Sequence, residues 1–255
     1  MPELSAQAPV LDGLQAIVFD LDGTLYLQGP LRRAMLGKLV LGHLLHPLQA
    51  LRTMKALGAY RKAQEALRGA PRSDDLAALQ LTRAAEKSGL PPREVSALVE
   101  RWMDEAPLPI LGRYLRPGAR ELLTWCKQRG LRLGLLSDYP AEKKLEALGL
   151  DGLFEVVLCA QDARVGVFKP DPRGLLAVLE ALSVAPAQAL YVGDRVEVDA
   201  QAARAGGLAC AIFSRAPAPA GASFRTAADC AALRAIVEST TDKLSSSDRH
   251  GTMTP

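Results

Sequence analysis

The sequence predicts an α/β protein, a doubly wound parallel sheet with an inserted all-helical cap domain. Three observations carry that prediction. Five short apolar runs rich in Val, Ile and Leu recur along the chain, as strands covered on both faces should. Helical patterns separate them, and one long stretch after the first run shows helical periodicity alone.

Taken in order, "LQAIVFD" (14–20) is the first strand. Residues 28–113 then hold no convincing strand, only helical patterns broken at "HP" (46–47), "GAPRS" (69–73), "GLPP" (89–92) and "APLPILG" (106–112). That is too long for a loop inside a compact domain, so it reads as a helical cap. Alternation resumes with helix "PGARELLTWCKQRG" (117–130), strand "LRLGLLSD" (131–138), helix "PAEKKLEALGL" (140–150) and strand "EVVLCA" (155–160). It continues with helix "DPRGLLAVLEALSV" (171–184), strand "ALYVGD" (189–194), helix "DAQAARAGG" (199–207) and strand "LACAIF" (208–213). Pro or Asp near the start and Gly near the end punctuate most of these helices. "RAPAPAGASFRTAADC" (215–230) reads as a Pro/Ala-rich connection, and the polar residues after Val237 as a disordered tail. The expected organisation is a core of 1–27 and 114–237, a cap of 28–113, and a disordered tail of 238–255.

Composition narrows the function classes. Of 255 residues, 49% are apolar and 23% charged, the balance of a globular protein with a sizeable core. Aromatics at 5% and a net charge of +3 argue against a nucleic-acid partner. Cys126, Cys159, Cys210 and Cys230 show no CxxC spacing and read as free thiols, suited to a reducing compartment. "MPELSAQAPVLDG" lacks a basic region followed by an apolar one, and no apolar run is long enough to span a bilayer. The expected location is the cytoplasm.

Sites in open α/β sheets lie beyond the carboxyl ends of the strands. The first strand delivers Asp20 and Asp22 there, the second Ser137 and Asp138, and the loop after the third Lys169. The fourth delivers Asp194, with Asp199 five residues on, while the fifth adds nothing assignable. Clustered carboxylates repel one another and need compensating cations. An oxygen-ligated divalent ion of the Mg²⁺ type and a lysine supply that compensation, in a set suited to phosphoryl transfer. Alternatives stand beside this reading. Asp138, Asp151 and Asp171 read as helix caps or turn formers, Asp199 equally as the start of a helix, and Arg195 is unassigned. His43 and His46 read as surface or cap-core residues rather than a metal pair.

In these residues the chain resembles the haloacid dehalogenase-like superfamily, in its phosphoglycolate phosphatase and β-phosphoglucomutase-like branch. "DLDGT" (20–24), Ser137 in "LLSD", Lys169 in "FKPDP" and "GDRVEVD" (193–199) match its four motifs in order. The resemblance implies that Asp20 is the nucleophile forming an aspartyl-phosphate and a Mg²⁺ ligand. It implies that Asp22 protonates the leaving oxygen, activates water and offers its backbone carbonyl to the metal. Thr24 helps to shape the turn and, with Ser137, the amide of Asp138 and Lys169, serves the phosphate. Asp194 completes the metal site, and Asp199 is a ligand or supports one. An acid at position 22 fits a phosphate ester, whose leaving oxygen needs a proton, and not an alkyl halide. The expected activity is hydrolysis of a small phosphorylated metabolite. The alternatives are a phosphomutase of the β-phosphoglucomutase type and a non-catalytic phosphate-binding module.

The first half of the cap is basic and rich in Leu. From Leu31 to Arg72 it carries nine Lys and Arg against Glu65 as the only acid. The expected arrangement is an amphipathic helix pair, its Leu face packed on the rest of the cap and its basic face solvated. Attraction of an anionic substrate, or contact with a membrane carrying a lipid phosphate, are the alternatives. Neither the substrate nor the oligomeric state follows from these residues.

Overall fold

The computed structural model describes residues 13–247, with side chains to Thr240. The expectations drawn from the first twelve residues and from 248–255 therefore lie outside the described residues. Six parallel strands form one sheet in the order β3-β2-β1-β4-β5-β6. They are β1 (Ala16–Phe19), β2 (Arg132–Ser137), β3 (Val156–Cys159), β4 (Ala189–Gly193), β5 (Ala209–Phe213) and β6 (Arg225–Ala227). The first five fall inside the five apolar runs. β6 does not: "RTA" is a three-residue edge strand with no apolar run to announce it, inside the segment expected to be a plain connection.

Strand alternation divides the core. Ile17 and Phe19 of β1 point to one face, where they pack with α6 (Ala119–Gln128), α7 (Glu142–Leu148) and α10 (Cys230–Ser247). Ala16 and Val18 point to the other, against α8 (Arg173–Ala181) and α9 (Gln201–Gly206). Both faces are covered, which explains why the strands read as continuous apolar runs. Helix α10 continues to Ser247, so residues 238–247 are helical and not part of a disordered tail. Buried Leu233 and Val237 anchor its first turns, and propagation from an anchored segment needs only residues that tolerate helix.

Between β1 and β2 the chain forms helices only: α1 (Gln28–Gly42), α2 (Pro47–Leu67), α3 (Leu76–Ser88), α4 (Pro92–Val99) and the short α5 (Leu108–Leu111). A π-helical turn, Glu100–Glu105, extends α4. Small residues let α2 and α3 approach closely, with Ala56, Ala59, Ala63, Ala84 and Ala85 all buried around Tyr60, Val95 and Val99. Asp75 caps α3 by accepting from the amide of Ala78 at 2.9 Å, and Gly89 closes it in the left-handed conformation.

The Leu-rich pair behaves differently from expectation. In α1 only Leu31 and Leu39 are buried. Leu36, Val40, Leu41, Leu44, Leu45, Leu48 and Leu51 are exposed, so they do not pack on the rest of the cap. Their spacing is the reason. The run 39–41 and the pair 35–36 spread apolar side chains around α1 so that one buried stripe cannot take them all, and Leu44 and Leu45 lie in the turn beyond its end.

Candidate active site

Strand β1 lies between β2 and β4, where the strand order reverses, and the carboxyl ends of these three strands carry the charged cluster. The Asp20 amide donates to Val192 O at 2.8 Å, extending the ladder beyond Phe19 and fixing the Asp20 backbone. Beyond it the chain turns tightly. Gly23 has φ +102°, and a Cβ there would stand 2.2 Å from Asp194 Oδ2, so only glycine lets the two loops meet. Arg116 donates to the carbonyls of Gly23 and Thr24, both at 2.5 Å, and its guanidinium lies 4.0 Å from the centre of the Phe213 ring. The fifth strand thus contributes support to the turn through Phe213.

Lys169 is the hub of the site and is almost fully buried. Its Nζ donates to Asp20 Oδ1 at 2.6 Å, Asp199 Oδ1 at 2.8 Å and the Tyr191 hydroxyl at 2.9 Å. Burial opposes its charge, but Asp199 and Asp20 outweigh burial and hold the ammonium well above its usual range. Asp199 is likewise kept ionised: burial raises its carboxyl, and Lys169 more than offsets this. Its Oδ2 accepts from the amides of Asp194 at 3.1 Å and Arg195 at 2.9 Å, which sets the loop carrying Asp194. Asp199 therefore does more than begin a helix.

Asp20 is the opposite case. Burial, opposed by Lys169 and reinforced by Asp199 and Asp194, pushes its carboxyl well above the usual range. Its Oδ2 is buried with no hydrogen-bond partner. Burial and Asp199 also raise Asp194 to about 6. Carboxylate oxygens of Asp20, Asp194 and Asp199 lie within 4.8 Å of one another, so the trio fits a divalent cation. An orphaned oxygen and two carboxyls raised for want of positive charge are what such an ion would correct.

Asp22 stands apart from that trio. Its carboxylate accepts from Lys144 Nζ at 2.8 and 3.1 Å and from the Tyr26 hydroxyl at 2.5 Å. Burial raises it, and Lys144 with Tyr26 outweighs burial, so Asp22 is held below its usual range. Among the described residues its side chain is not in the three-carboxylate group.

A cavity of about 570 Å³ brings together Asp20, Asp22, Asp138, Lys169, Asp194 and Asp199. Thr24 and Ser137 do not line it. Both are fully buried behind it, Thr24 with an unpartnered hydroxyl and Ser137 accepting from the Tyr139 amide at 3.2 Å. Asp138 is not a helix cap: its Oδ2 accepts from Gln64 of α2 at 2.7 Å and from Arg68, just past the end of that helix, at 2.8 Å. Asp171 does behave as a turn former, accepting from the Arg173 amide at 3.0 Å. Arg195 pairs with Glu65 of α2 at 3.1 Å, and Arg68 also donates to Lys169 O at 2.5 Å. Gln64, Glu65 and Arg68, at the carboxyl end of α2, thereby tie the helical insert to the sheet edge. His43 bonds Leu39 O at 2.9 Å and packs on Trp102, and no described histidine belongs to a metal-ligating group.

Sequence reasoning missed Lys144, Tyr26, Tyr191, Arg68, Gln64 and Arg116. Tyr26 bonds Asp22 only four residues away, and each of the others acts through a partner distant in sequence or through a hydroxyl at strand β4; no local motif marks any of them.

Known proteins resemble this chain in sequence and in fold. A phosphoglycolate phosphatase of Rhodospirillum rubrum is 34% identical over 207 residues, covering 78% of this chain and 79% of that protein. A HAD phosphatase from Thermococcus onnurineus superposes with a TM-score of 0.59 at 24% identity, covering 88% of this chain and 98% of its own. A 2-haloacid dehalogenase from Pseudomonas syringae superposes equally well, at 0.61 with 21% identity over the same shares, so the fold alone does not choose the chemistry. Residues 14–207 match the haloacid dehalogenase-like hydrolase family, and the chain belongs to it.

Proposed function

We propose that the protein is a Mg²⁺-dependent phosphatase that hydrolyses a phosphate monoester through an aspartyl-phosphate on Asp20. The observation that supports this best is the state of Asp20: one oxygen is gripped by Lys169, and the other is buried, unpartnered and beside two further carboxylates. The identity with a phosphoglycolate phosphatase over most of both chains supports phosphate monoester chemistry.

Asp20, Asp194 and Asp199, with the Asp22 carbonyl, would hold the ion, which supplies positive charge to the phosphate oxygens. Asp20 forms a bond to phosphorus as the bond from phosphorus to the alkoxy oxygen breaks; Asp22, ionised at rest beside Lys144 and Tyr26, takes up a proton from solvent and gives it to that oxygen. In the second half, ionised Asp22 takes a proton from water, whose oxygen attacks phosphorus and frees Asp20. Phosphate leaves, Asp22 releases the proton it took from water to solvent, and both carboxyls return to their starting states. Lys169 lies between Asp20 and Asp199 and neutralises charge on Asp20 and on the phosphoryl group. Lys144, bonded to Asp22 in its ionised form, is a positioning residue for the second half.

Phosphate release from p-nitrophenyl phosphate is the direct test. It should require Mg²⁺, stop in EDTA and need no sugar bisphosphate; absolute dependence on a bisphosphate would convert the reading to a mutase. Equal background from wild type and Asp20→Asn would leave only a phosphate-binding module.

Asp22→Asn should separate the two halves by leaving group. A good leaving group needs no proton, so p-nitrophenyl phosphate should suffer less than an alkyl phosphate. The loss for the alkyl ester should reach ~10²–10⁴-fold, the usual worth of general acid–base catalysis. Equal losses for both esters would remove Asp22 from the proton-donor role.

A further inference from the structure

Helix α2 joins two chemically opposite regions along its length. At its carboxyl end Gln64, Glu65 and Arg68 hold the sheet edge beside Asp20 and Lys169. Arg61 lines the cavity one turn earlier, where burial and the nearby Arg32 charge hold its guanidinium below its usual range. Leu57 and Met54 continue the lining toward the amino end; Leu51 and Leu48 follow in three-residue steps that turn about 60° each, so the apolar track leaves the cavity face for the surface. From Arg61 to Leu48 is ~20 Å at 1.5 Å per residue. The opposite wall matches this gradient, with Met35, Leu36 and Leu39 of α1 facing the cavity.

The apolar lining does not end inside the protein. Leu36 and Met54 both line the cavity and are exposed, so they join it to the tip where α1 meets α2. At that tip Leu41 is 69% exposed, Leu44 67%, Leu45 88% and Leu48 76%. A contiguous apolar surface of this kind on a globular protein marks an interaction site. Its frame is cationic: between Gln28 and Gln64 there are seven Lys and Arg and no acid, with Arg33, Lys38, Arg52 and Lys55 near the tip. Arg52 is paired with Glu94, and Lys38 donates to Ala106 O.

We propose that the phosphate monoester taken by this site is that of a long-chain alcohol, drawn from a lipid surface on which the α1–α2 tip rests. The phosphate reaches Asp20 and Lys169 while the chain leaves along Leu57, Met54 and Leu51 to the exposed leucines. Leucines entering the acyl boundary and basic residues meeting anionic headgroups are the two parts of an interfacial helix pair. A small polar substrate such as phosphoglycolate would use neither the apolar wall nor the tip. This inference rests on the phosphatase reading and adds the substrate class to it.

The test compares ethyl, butyl, octyl and dodecyl phosphate, each below its micellar concentration, with 2-phosphoglycolate. The enzymes are the wild type and a Leu44→Ser/Leu45→Ser/Leu48→Ser variant, whose changed side chains are all exposed. For the wild type, kcat/KM should rise about fourfold per methylene from butyl to octyl phosphate, as burial of each methylene implies. The variant should keep wild-type rates on ethyl and butyl phosphate and lose at least half of the gain on dodecyl phosphate. Wild type, and not the variant, should co-sediment with vesicles of phosphatidylcholine and phosphatidylglycerol. Turnover of the short esters or of 2-phosphoglycolate with no gain from chain length overturns this inference and leaves the phosphatase reading intact. No turnover of any ester overturns both. A dimer that the variant converts to monomer, with chain-length dependence unchanged, assigns the tip to a second copy and also overturns it.

Discussion

Asp20→Asn should yield a folded protein whose phosphate release falls by at least ~10⁴-fold, the scale on which enzymes lose rate with their nucleophile. The amide keeps an oxygen that can accept from Lys169, so the hub of the site survives. What is lost is the nucleophilic oxygen and one negative charge. That charge is badly placed in the metal-free protein, where burial and two neighbouring carboxylates oppose it. A neutral amide removes the penalty, so in EDTA the variant should melt at or above the wild-type temperature. Added Mg²⁺ should then raise the wild-type Tm, because ligand binding to the native state stabilises it, and raise the variant's much less. Thermal melts with and without Mg²⁺, set beside single-turnover phosphate release, measure both effects. A variant keeping a tenth of the wild-type rate would end the assignment of Asp20 as nucleophile.

The sheet and the charged cluster were legible because both depend on local sequence. A buried parallel strand must be an apolar run, and a residue at its carboxyl end must lie at the sheet edge, so Asp20 and Asp194 follow from β1 and β4 directly. Lys169 was legible only through its motif, since an isolated lysine is ordinarily exposed, and this one is buried between two carboxylates. What was hidden depends on tertiary partners. Nothing near Arg116 indicates that it holds the carbonyls of the Gly23 turn, more than ninety residues away. Nothing near Lys144 indicates Asp22. The exposed leucines inverted the expectation outright, because sequence shows which residues are apolar but not whether a partner surface exists to cover them.

Lys169→Met should combine the largest loss of stability with a loss of rate. The methionine fills comparable space, but Asp20 and Asp199 are left buried without the ammonium that bonded both. Breaking a buried ion pair on one side costs about 3–5 kcal/mol in other proteins. Here the size must depend on pH. Without Lys169, burial at Asp20 loses its main opposition and burial at Asp199 is opposed only by the Asp194 and Arg195 amides and the Tyr191 hydroxyl, so the pair should bind protons more tightly folded than unfolded. The folded state then binds more protons than the unfolded one, and stability falls as pH rises. The variant should be closest to wild type near pH 5, where the folded carboxyls retain protons, and furthest from it near pH 8. Urea unfolding at the two pH values reads the difference, and a pH-independent deficit would mean that lost packing, not uncompensated charge, governs the variant. Mg²⁺ should restore part of the stability at pH 8, since a cation on Asp20 and Asp199 replaces some of the missing positive charge. It should not restore the rate, which is expected to stay ~10²–10³-fold below wild type, as after removal of one donor from a preorganised site. Recovery of stability without recovery of turnover would separate the two duties of Lys169: holding the carboxylates together, and neutralising the phosphoryl group.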